Sequence, residues 1–177
     1  GLDLTPTLFV RRAVAHVLAT VPGLNVRLRL GRFVPRTGVS LFFITSLDGG
    51  RDLGGVRVED AESRSVLDLS RALADGCERQ RRGDDSGFSR GKRVGEALTM
   101  SLLRAALRLA AFATGELGWS IPMLGLHAEP FGSAMISSLG SLGLPIAMVP
   151  LAWMYRVPLL FAPGSIVDKP VAVAGRL

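Results

Sequence analysis

The chain has 177 residues, a length that suits one domain rather than two. Apolar residues make up 48% of it and charged residues 20%, which excludes a disordered chain. The single cysteine, Cys77, excludes an intrachain disulfide and fits a reducing compartment, so we expect a cytoplasmic protein. Two histidines and one cysteine cannot build a typical structural zinc site, so we expect no metal.

The net charge of +6 comes almost entirely from arginine, because Lys92 and Lys169 are the only lysines. The arginines are dispersed, and no basic run alternates with aromatic side chains as stacking on bases requires. We therefore expect no nucleic-acid partner. An anionic small substrate, an acidic partner or an arginine-biased genome explains the charge equally well.

The chain opens with a helix signal followed by an alternating stretch. Thr5 suits an N-cap and Pro6 suits the first helical position, and apolar residues at helical spacing follow. Residues 25–34 then alternate, which predicts one half-buried strand with a bend at Gly31. The two faces of that strand carry Val26, Leu28 and Leu30 on one side and Arg27, Arg29 and Arg32 on the other.

Two further strands and a helix come next. Residues 39–47 are more uniformly apolar, which predicts a central strand, and residues 53–58 predict a short third strand. Residues 63–82 predict a helix whose buried stripe includes Cys77. Residues 83–91 are polar and rich in Gly, Ser and Asp, which predicts a loop.

Residues 96–117 predict the most apolar helix of the chain. Its apolar surface is wider than one stripe, so it is buried on most sides, docked on a partner, or lying on a membrane surface. Arg104 and Arg108 interrupt this stretch, which argues against a transmembrane helix. Membrane association is therefore not the favoured expectation.

The last third of the chain is rich in glycine and proline. Residues 133–138, 159–162 and 166–173 predict three strands, with a glycine-containing turn at 139–143. The resulting order is a helix, three strands, two helices and three strands. Separate runs of strands and helices favour an α+β fold with a mixed or antiparallel sheet.

General catalytic motifs are absent from the sequence. There is no phosphate-binding glycine loop, no His-Glu-x-x-His zinc motif and no Gly-x-Ser-x-Gly elbow. The patterns favour a surface or boundary position for His16, a loop position for His127 and core packing for Cys77. One basic cluster suits either a solvated helix end or contacts to coenzyme A phosphates or an acidic partner; it comprises Arg79, Arg81, Arg82, Arg90, Lys92 and Arg93.

One segment resembles the core strand of dihydrolipoamide acyltransferases. The family pattern Gly-x-x-(Phe/Met)-x-(Ile/Val)-(Ser/Thr)-(Ser/Asn)-(Leu/Val)-Gly is similar to Phe131-Gly132-Ser133-Ala134-Met135-Ile136-Ser137-Ser138-Leu139-Gly140. Residues 5–25, 53–73 and 157–171 resemble three further family stretches, in the family's order. The residues that carry these matches include Thr5, Leu8, Ala13-Val14-Ala15, Pro22, Leu24-Asn25, Asp60-Ala61, Ser65, Pro158 and Lys169-Pro170-Val171.

The resemblance implies a chloramphenicol-acetyltransferase-like α+β fold, a mixed sheet with helices packed on one side. It implies an enzyme that transfers an acyl group between coenzyme A and a dihydrolipoyl thiol in a 2-oxo acid dehydrogenase system. Acyl-coenzyme A and the lipoyl group would be its substrates, with no metal. Its site would lie between subunits of a homotrimer or larger assembly, with a lipoyl-bearing protein as a further partner.

The resemblance also implies a role for Ser137. In the family a serine or threonine at this position donates a hydrogen bond to the tetrahedral oxyanion, so Ser137 is the predicted catalytic residue. The family's general base is a histidine in Asp-His-Arg-x-x-Asp-Gly, which this sequence does not contain. Neither His16 nor His127 matches that motif, so the resemblance assigns the role of general base to no residue of this sequence. It assigns no substrate-binding residues either.

We therefore expect one acyltransferase-like domain over residues 1–177, truncated at both ends relative to the family. Residues 84–129 form an extra loop and helix that the family lacks. The alternative is a catalytically inactive relative that acts as an oligomeric scaffold or as a module docking on a partner or a membrane surface, with the helix at 96–117 as its contact face.

Overall fold

The computed structural model describes residues 6–47, 52–82, 99–120, 127–150 and 156–170. The elements in these ranges are α1 (Pro6–Thr20), β1 (Val26–Arg29), β2 (Arg32–Pro35), β3 (Leu41–Leu47), β4 (Asp52–Val58), α2 (Val66–Arg81), α3 (Met100–Gly115), β5 (Ala134–Ser137), a 3-10 turn (Leu139–Leu142) and β6 (Leu159–Phe161).

The main sheet has the strand order β4-β3-β5-β6. Strand β4 runs antiparallel to β3, whereas β3, β5 and β6 are mutually parallel. The sheet is therefore mixed, and β3 is internal, as its apolar sequence predicts. Helix α2 packs on β4 and β3, and α1 packs on α2. The predicted α+β class is confirmed.

The core lies between this sheet and the two N-terminal helices. Its central members come from α1, β3, β4, α2 and β5 and from the residues that flank β3 and β4, and each is at most 6% exposed. They are Val14, Ala15, Leu18, Val39, Leu41, Phe43, Val56, Val58, Ala61, Leu69, Ala134 and Ile136.

Helix α2 begins directly after Ser65, its N-cap, three residues later than the predicted start at residue 63. The Ser65 hydroxyl accepts a hydrogen bond from the Asp68 backbone N–H at 3.1 Å, which satisfies one of the unpaired donors of the first turn. One turn before the helix ends, Gly76 is buried against Val56 of β4. A Cβ at position 76 would lie 2.3 Å from Val56 Cγ1, so the absence of a side chain allows this close packing.

The stretch at 25–34 is not one bent strand. Leu30 and Gly31 both have positive φ, 48° and 73°, and they form a tight turn between β1 and β2. Positive φ at both central residues is the geometry of two-residue hairpin turns. Leu28 pairs with Phe33, and Arg27 pairs with Val34, so each pair shares one face of a separate two-stranded sheet.

This hairpin exposes its apolar face and turns its arginine face inward, which is the reverse of what hydrophobic burial favours. Leu28, Leu30 and Phe33 are 53%, 64% and 75% exposed, whereas Arg27 and Arg29 are half-buried. A half-buried strand ordinarily buries its apolar face. Here the arginine face lies against the protein body, because it meets carboxylates and carbonyl groups there.

Two further expectations need correction. Helix α3 has no buried residue, so it is not buried on most sides within the described structure; Met100, Leu102, Leu107 and Leu109 are each about 60–70% exposed. The predicted strand at 166–173 is not formed over residues 166–170, where Ile166 is exposed and Pro170 lacks the N–H a sheet ladder needs. Its remainder lies outside the described residues.

The contact between Gly76 and Val56 predicts an unusual response to a helix-favouring substitution. Gly76→Ala should destabilise the protein by about 1 kcal/mol or more, since overpacking outweighs the gain in helix propensity of about 1 kcal/mol. Urea unfolding measures this effect.

Val56→Ala removes both methyl groups that a Cβ would meet. In that background Gly76→Ala should become neutral or stabilising. Stabilisation by Gly76→Ala with Val56 intact would contradict the packing described here.

Candidate active site

Ser137 is the last residue of β5 and lies opposite Ile44 of β3. The three residues before it, Ala134 to Ile136, are at most 3% exposed, whereas Ser137 is half-buried. The strand therefore emerges from the core at this serine. Its hydroxyl is placed at the carboxyl end of parallel strands, where open sheets commonly bind ligands.

The opposite end of β5 is fixed to the start of β3. The backbone N–H of Ser133 donates to Ser40 O at 2.7 Å, and the Ser40 N–H donates to Ser133 Oγ at 3.2 Å. Gly132 has a φ of +64°, and a Cβ there would lie 2.6 Å from Ser40 O. Only glycine suits this position, and the contact sets the register that places Ser137.

The segment after Ser137 is tied to the segment after β6. The Leu139 N–H donates to Pro163 O at 3.0 Å, and the Ser165 N–H donates to Leu144 O at 2.9 Å. The 3-10 turn between them ends at Gly143 in the left-handed conformation. These bonds give Ser137 an ordered backbone on its exposed side.

The structure brings neither histidine to this end of β5. His127 is exposed and lies five residues before Gly132, at the opposite end of the strand. His16 is exposed on α1, as its position outside the apolar stripe predicts. The nearest charged residue to His127 in sequence, Glu129, is committed to arginines.

Cys77 and the basic cluster occupy the positions that the sequence favours. Cys77 is a free, half-buried thiol on α2 that packs against the core. Arg79, Arg81 and Arg82 are exposed at the end of α2, and Arg82 pairs with Glu78 at 3.0 Å. The other members of the cluster, Arg90, Lys92 and Arg93, lie outside the described residues.

The densest group of charges was not predicted from the sequence. The Glu129 cluster consists of Arg27, Arg36, Arg57 and Glu129. Arg27 Nη1 donates to Glu129 Oε1, and Arg36 Nε donates to Glu129 Oε2 at 3.1 Å. Arg57 Nη1 donates to the Glu129 backbone carbonyl. One residue therefore binds the hairpin, the residue after it and β4 together.

The cluster holds Glu129 in its charged form. Burial raises the pKa of this carboxyl, but the charges of Arg36 and Arg27 and their hydrogen bonds outweigh burial, so the pKa lies below its usual value. Burial also lowers the pKa of Arg36, and Glu129 opposes that effect. An arginine keeps its charge throughout the ordinary pH range.

A second carboxylate fixes the other end of the hairpin. The Leu30 N–H donates to Glu116 Oε2 at 2.5 Å, and Arg156 Nη1 donates to Glu116 Oε1 at 2.7 Å. Arg29 Nε donates to the Glu116 carbonyl at 2.6 Å. The Leu30 hydrogen bond, followed by the bond from Arg156, lowers the pKa of Glu116. The hairpin is thus fastened to the end of α3.

In the sequence, these contacts are indicated only by the alternation of apolar residues and arginines over residues 26–29. Alternation shows that arginines share a face, but not that this face turns inward. The acceptors, Glu129 and Glu116, lie 102 and about 87 positions further along the chain. No local pattern connects them to the hairpin.

Among the described residues, no group of three or more His, Cys, Asp or Glu side chains is placed to hold a metal ion. Within the same ranges, no helix combines the length and the apolar character needed to cross a bilayer.

The fold matches solved acyltransferase cores. A probable dihydrolipoamide acetyltransferase from Listeria monocytogenes superposes with a TM-score of 0.62 at 17% identity, over 97% of this chain and 55% of the other. The Azotobacter vinelandii dihydrolipoamide acetyltransferase gives 0.61 at 18% identity, over 97% and 54%. A truncated 2-oxoacid dehydrogenase complex core from Thermoplasma acidophilum gives 0.56 at 15%, over 94% and 59%.

The chain has the fold of dihydrolipoamide acetyltransferase catalytic cores. The resemblance in the sequence motifs is therefore confirmed at the level of the fold. The chain spans a little over half the length of these structures. No protein-family model matches the sequence, and no curated protein matches it.

The Glu129 cluster predicts a pH-dependent contribution to stability. Glu129→Gln should lower the free energy of unfolding at pH 7 by about 2 kcal/mol, since it leaves half-buried arginines without a counter-charge. Because the folded-state pKa of Glu129 is lowered, its contribution is complete above the unfolded pKa of about 4.3 and is lost as pH falls through the folded value. The difference between wild type and Glu129→Gln, measured by urea unfolding, should therefore shrink below about pH 4.

Glu78→Gln provides the matched control, because Glu78 pairs with Arg82 on the exposed surface of α2. We expect a loss of about 0.5 kcal/mol or less. Equal losses for the two variants, at every pH, would refute the structural role of Glu129.

Proposed function

We propose that this chain is part of an acyltransferase that exchanges an acyl group between coenzyme A and a dihydrolipoyl thiol. The observation that carries the proposal is the position of Ser137, at the accessible end of a buried central strand, in a fold shared with dihydrolipoamide acetyltransferase cores. In the Azotobacter enzyme, the catalytic roles of a serine, a histidine and an asparagine have been studied. Ser137 is our candidate for the serine.

The proposed chemistry is a thioester exchange. The thiolate of the acceptor attacks the carbonyl carbon of the acyl thioester, the carbonyl π electrons move to oxygen, and the Ser137 hydroxyl donates a hydrogen bond to that oxyanion. Collapse of the intermediate expels the second thiolate, which takes up the proton that the first thiol lost. A general base must carry that proton. Because neither histidine lies near Ser137, we propose that the base comes from outside the described residues.

Ser137→Ala should reduce the rate of thioester exchange by about 10²–10³-fold in the intact protein, because it removes a donor aimed at the developing oxyanion. Ser137→Thr keeps a hydroxyl on Cβ and should retain most of the activity. Exchange between acetyl-coenzyme A and dihydrolipoamide, followed by thiol titration, measures both variants. An active intact protein in which Ser137→Ala has no effect would refute this role of Ser137.

We also propose that the active form is a homo-oligomer, a trimer or a larger assembly, in the cytoplasm. Two of the structural neighbours are cores of multienzyme complexes, one of them cubic. The outward face of the hairpin supports the proposal, since the paired residues Leu28 and Phe33 and the turn residue Leu30 are all exposed apolar side chains. Such a surface is typical of protein contacts. A lipoyl-bearing protein would be a further, transient partner.

The assembly should depend on the hairpin. Phe33→Ser should weaken self-association at least about tenfold, as loss of an aromatic anchor does, while monomer stability changes by less than about 0.5 kcal/mol. Sedimentation velocity over a concentration series measures the association. Phe9→Ser is the matched control, because Phe9 is also exposed but lies on α1. Equal effects of the two substitutions would contradict the assignment to the hairpin.

A second candidate function is a scaffold without catalysis. The exposed apolar surface of α3 favours it, because five large side chains of this helix contact solvent: Met100, Leu102, Leu107, Leu109 and Phe112. Sedimentation combined with liposome flotation and the exchange assay separates the two candidates. Thioester exchange without lipid binding supports the enzyme, and a stable assembly or lipid-bound form without exchange supports the scaffold.

A further inference from the structure

Ser137 lies on the face of the main sheet opposite α1 and α2. Successive side chains of a strand point to opposite faces. Ile136 and its partner Phe43 on β3 are 1% and 2% exposed, in the core that the two helices cover. Ser137 and its partner Ile44 therefore share the other face, where both are half-buried.

Ile44 is the strand residue directly beside Ser137. The two residues are register partners on adjacent parallel strands, which lie about 4.8 Å apart. On the other side of β5, the pairing with β6 ends one residue earlier, at Ile136 and Phe161. Among the described strands, Ile44 is thus the only register partner of Ser137.

The same face is filled by apolar side chains towards the amino end of β5. Met135, two residues before Ser137, is 3% exposed, and its partner on β3 is Phe42. The Phe42 ring is in edge-to-face contact with the Phe131 ring, with 5.0 Å between the ring centroids. This layer leaves little room for a substrate. An incoming group therefore meets the face beyond this layer, at the level of Ser137 and Ile44.

The part of the substrate that lies against Ile44 follows from the reaction, so this step rests on the proposed function. The carbon attacked in thioester exchange carries the oxyanion, two sulfur atoms and the acyl chain. Each sulfur leads to a long carrier that must leave the site towards solvent, whereas the acyl chain ends within the site. The acyl chain is therefore the substituent that suits an apolar wall. Its first carbon lies within about 5 Å of the Ser137 hydroxyl, which is also the spacing between β3 and β5.

The Ile44 side chain is branched at Cβ and stiff at χ1, so it does not readily turn aside for a larger group. We propose that Ile44 limits the size of the acyl chain, so that the site accepts a short, unbranched acyl group and discriminates against longer or branched ones. One methylene too many in an apolar pocket changes kcat/KM about 10–200-fold, so a single side chain is sufficient for this selection.

The test compares acyl groups in the intact protein, with dihydrolipoamide as acceptor and acetyl-, butanoyl- or 2-methylpropanoyl-coenzyme A as donor. The measured quantity is kcat/KM for each larger acyl group divided by kcat/KM for the acetyl group. This ratio does not depend on the fraction of active protein in a preparation. We expect both ratios to be about 0.1 or lower in the wild type. Ile44→Ala should raise both at least about tenfold, and Ile44→Val, which removes one methyl group, should raise them about threefold.

Leu160→Ala is the matched control, because it removes as many carbon atoms as Ile44→Ala. Leu160 is half-buried on β6 and pairs with Met135, so it shares the face of Ser137 but lies beside the filled layer. Its truncation should leave both ratios unchanged.

The outcomes separate this inference from the proposed function. Unchanged ratios in both Ile44 variants, or an equal rise in Leu160→Ala, would overturn the role of Ile44 while acyl transfer itself stands. So would wild-type ratios near one. If Ile44→Ala does not fold, the ratios of Ile44→Val decide. An intact wild-type protein that exchanges no acyl group overturns the proposed function, and this inference with it.

Discussion

The carboxylate of Glu129 determines how the N-terminal hairpin sits on the sheet. It binds Arg27 and Arg36, while its backbone carbonyl binds Arg57 of β4. Charged groups that are moved out of water need such partners, and removing one partner leaves the remaining buried charges without compensation. The arginine face of the hairpin is therefore held inward, and the leucine face must turn outward.

Exposed apolar side chains lie on both the hairpin and α3. Leu28 and Phe33 on the hairpin and Leu109 on α3 all contact solvent. Surfaces of this kind are typical of subunits that function within assemblies. Strand β5, in contrast, is buried in the core. Ser133 and Ser40 fix its register against β3 through backbone and side-chain hydrogen bonds. Ser137 thus lies on the buried core strand, and the exposed apolar surfaces lie on the hairpin and on α3.

The sequence predicts those features that depend on local pattern. The central position of β3, the helix that follows β4 and the strand that contains Ser137 all follow from periodicity and a motif. The hairpin shows the limit of such reasoning, because alternation reveals two faces but does not say which is covered. That choice depends on Glu129, about a hundred positions away. Helix α3 shows the same limit. Its apolar composition predicts burial, but a side chain is buried only where another element or subunit packs against it.

Thiol labelling tests the inverted hairpin most directly. Phe33 and Val34 are neighbours on β2 and face opposite ways, with Phe33 75% exposed and Val34 half-buried. In a Cys77→Ala background, cysteine would replace each in turn, and monomeric protein would be treated with a maleimide reagent. The structure predicts fast labelling of Phe33→Cys and slow labelling of Val34→Cys. The reverse order would show that the apolar face is buried, and it would contradict the role given to Glu129.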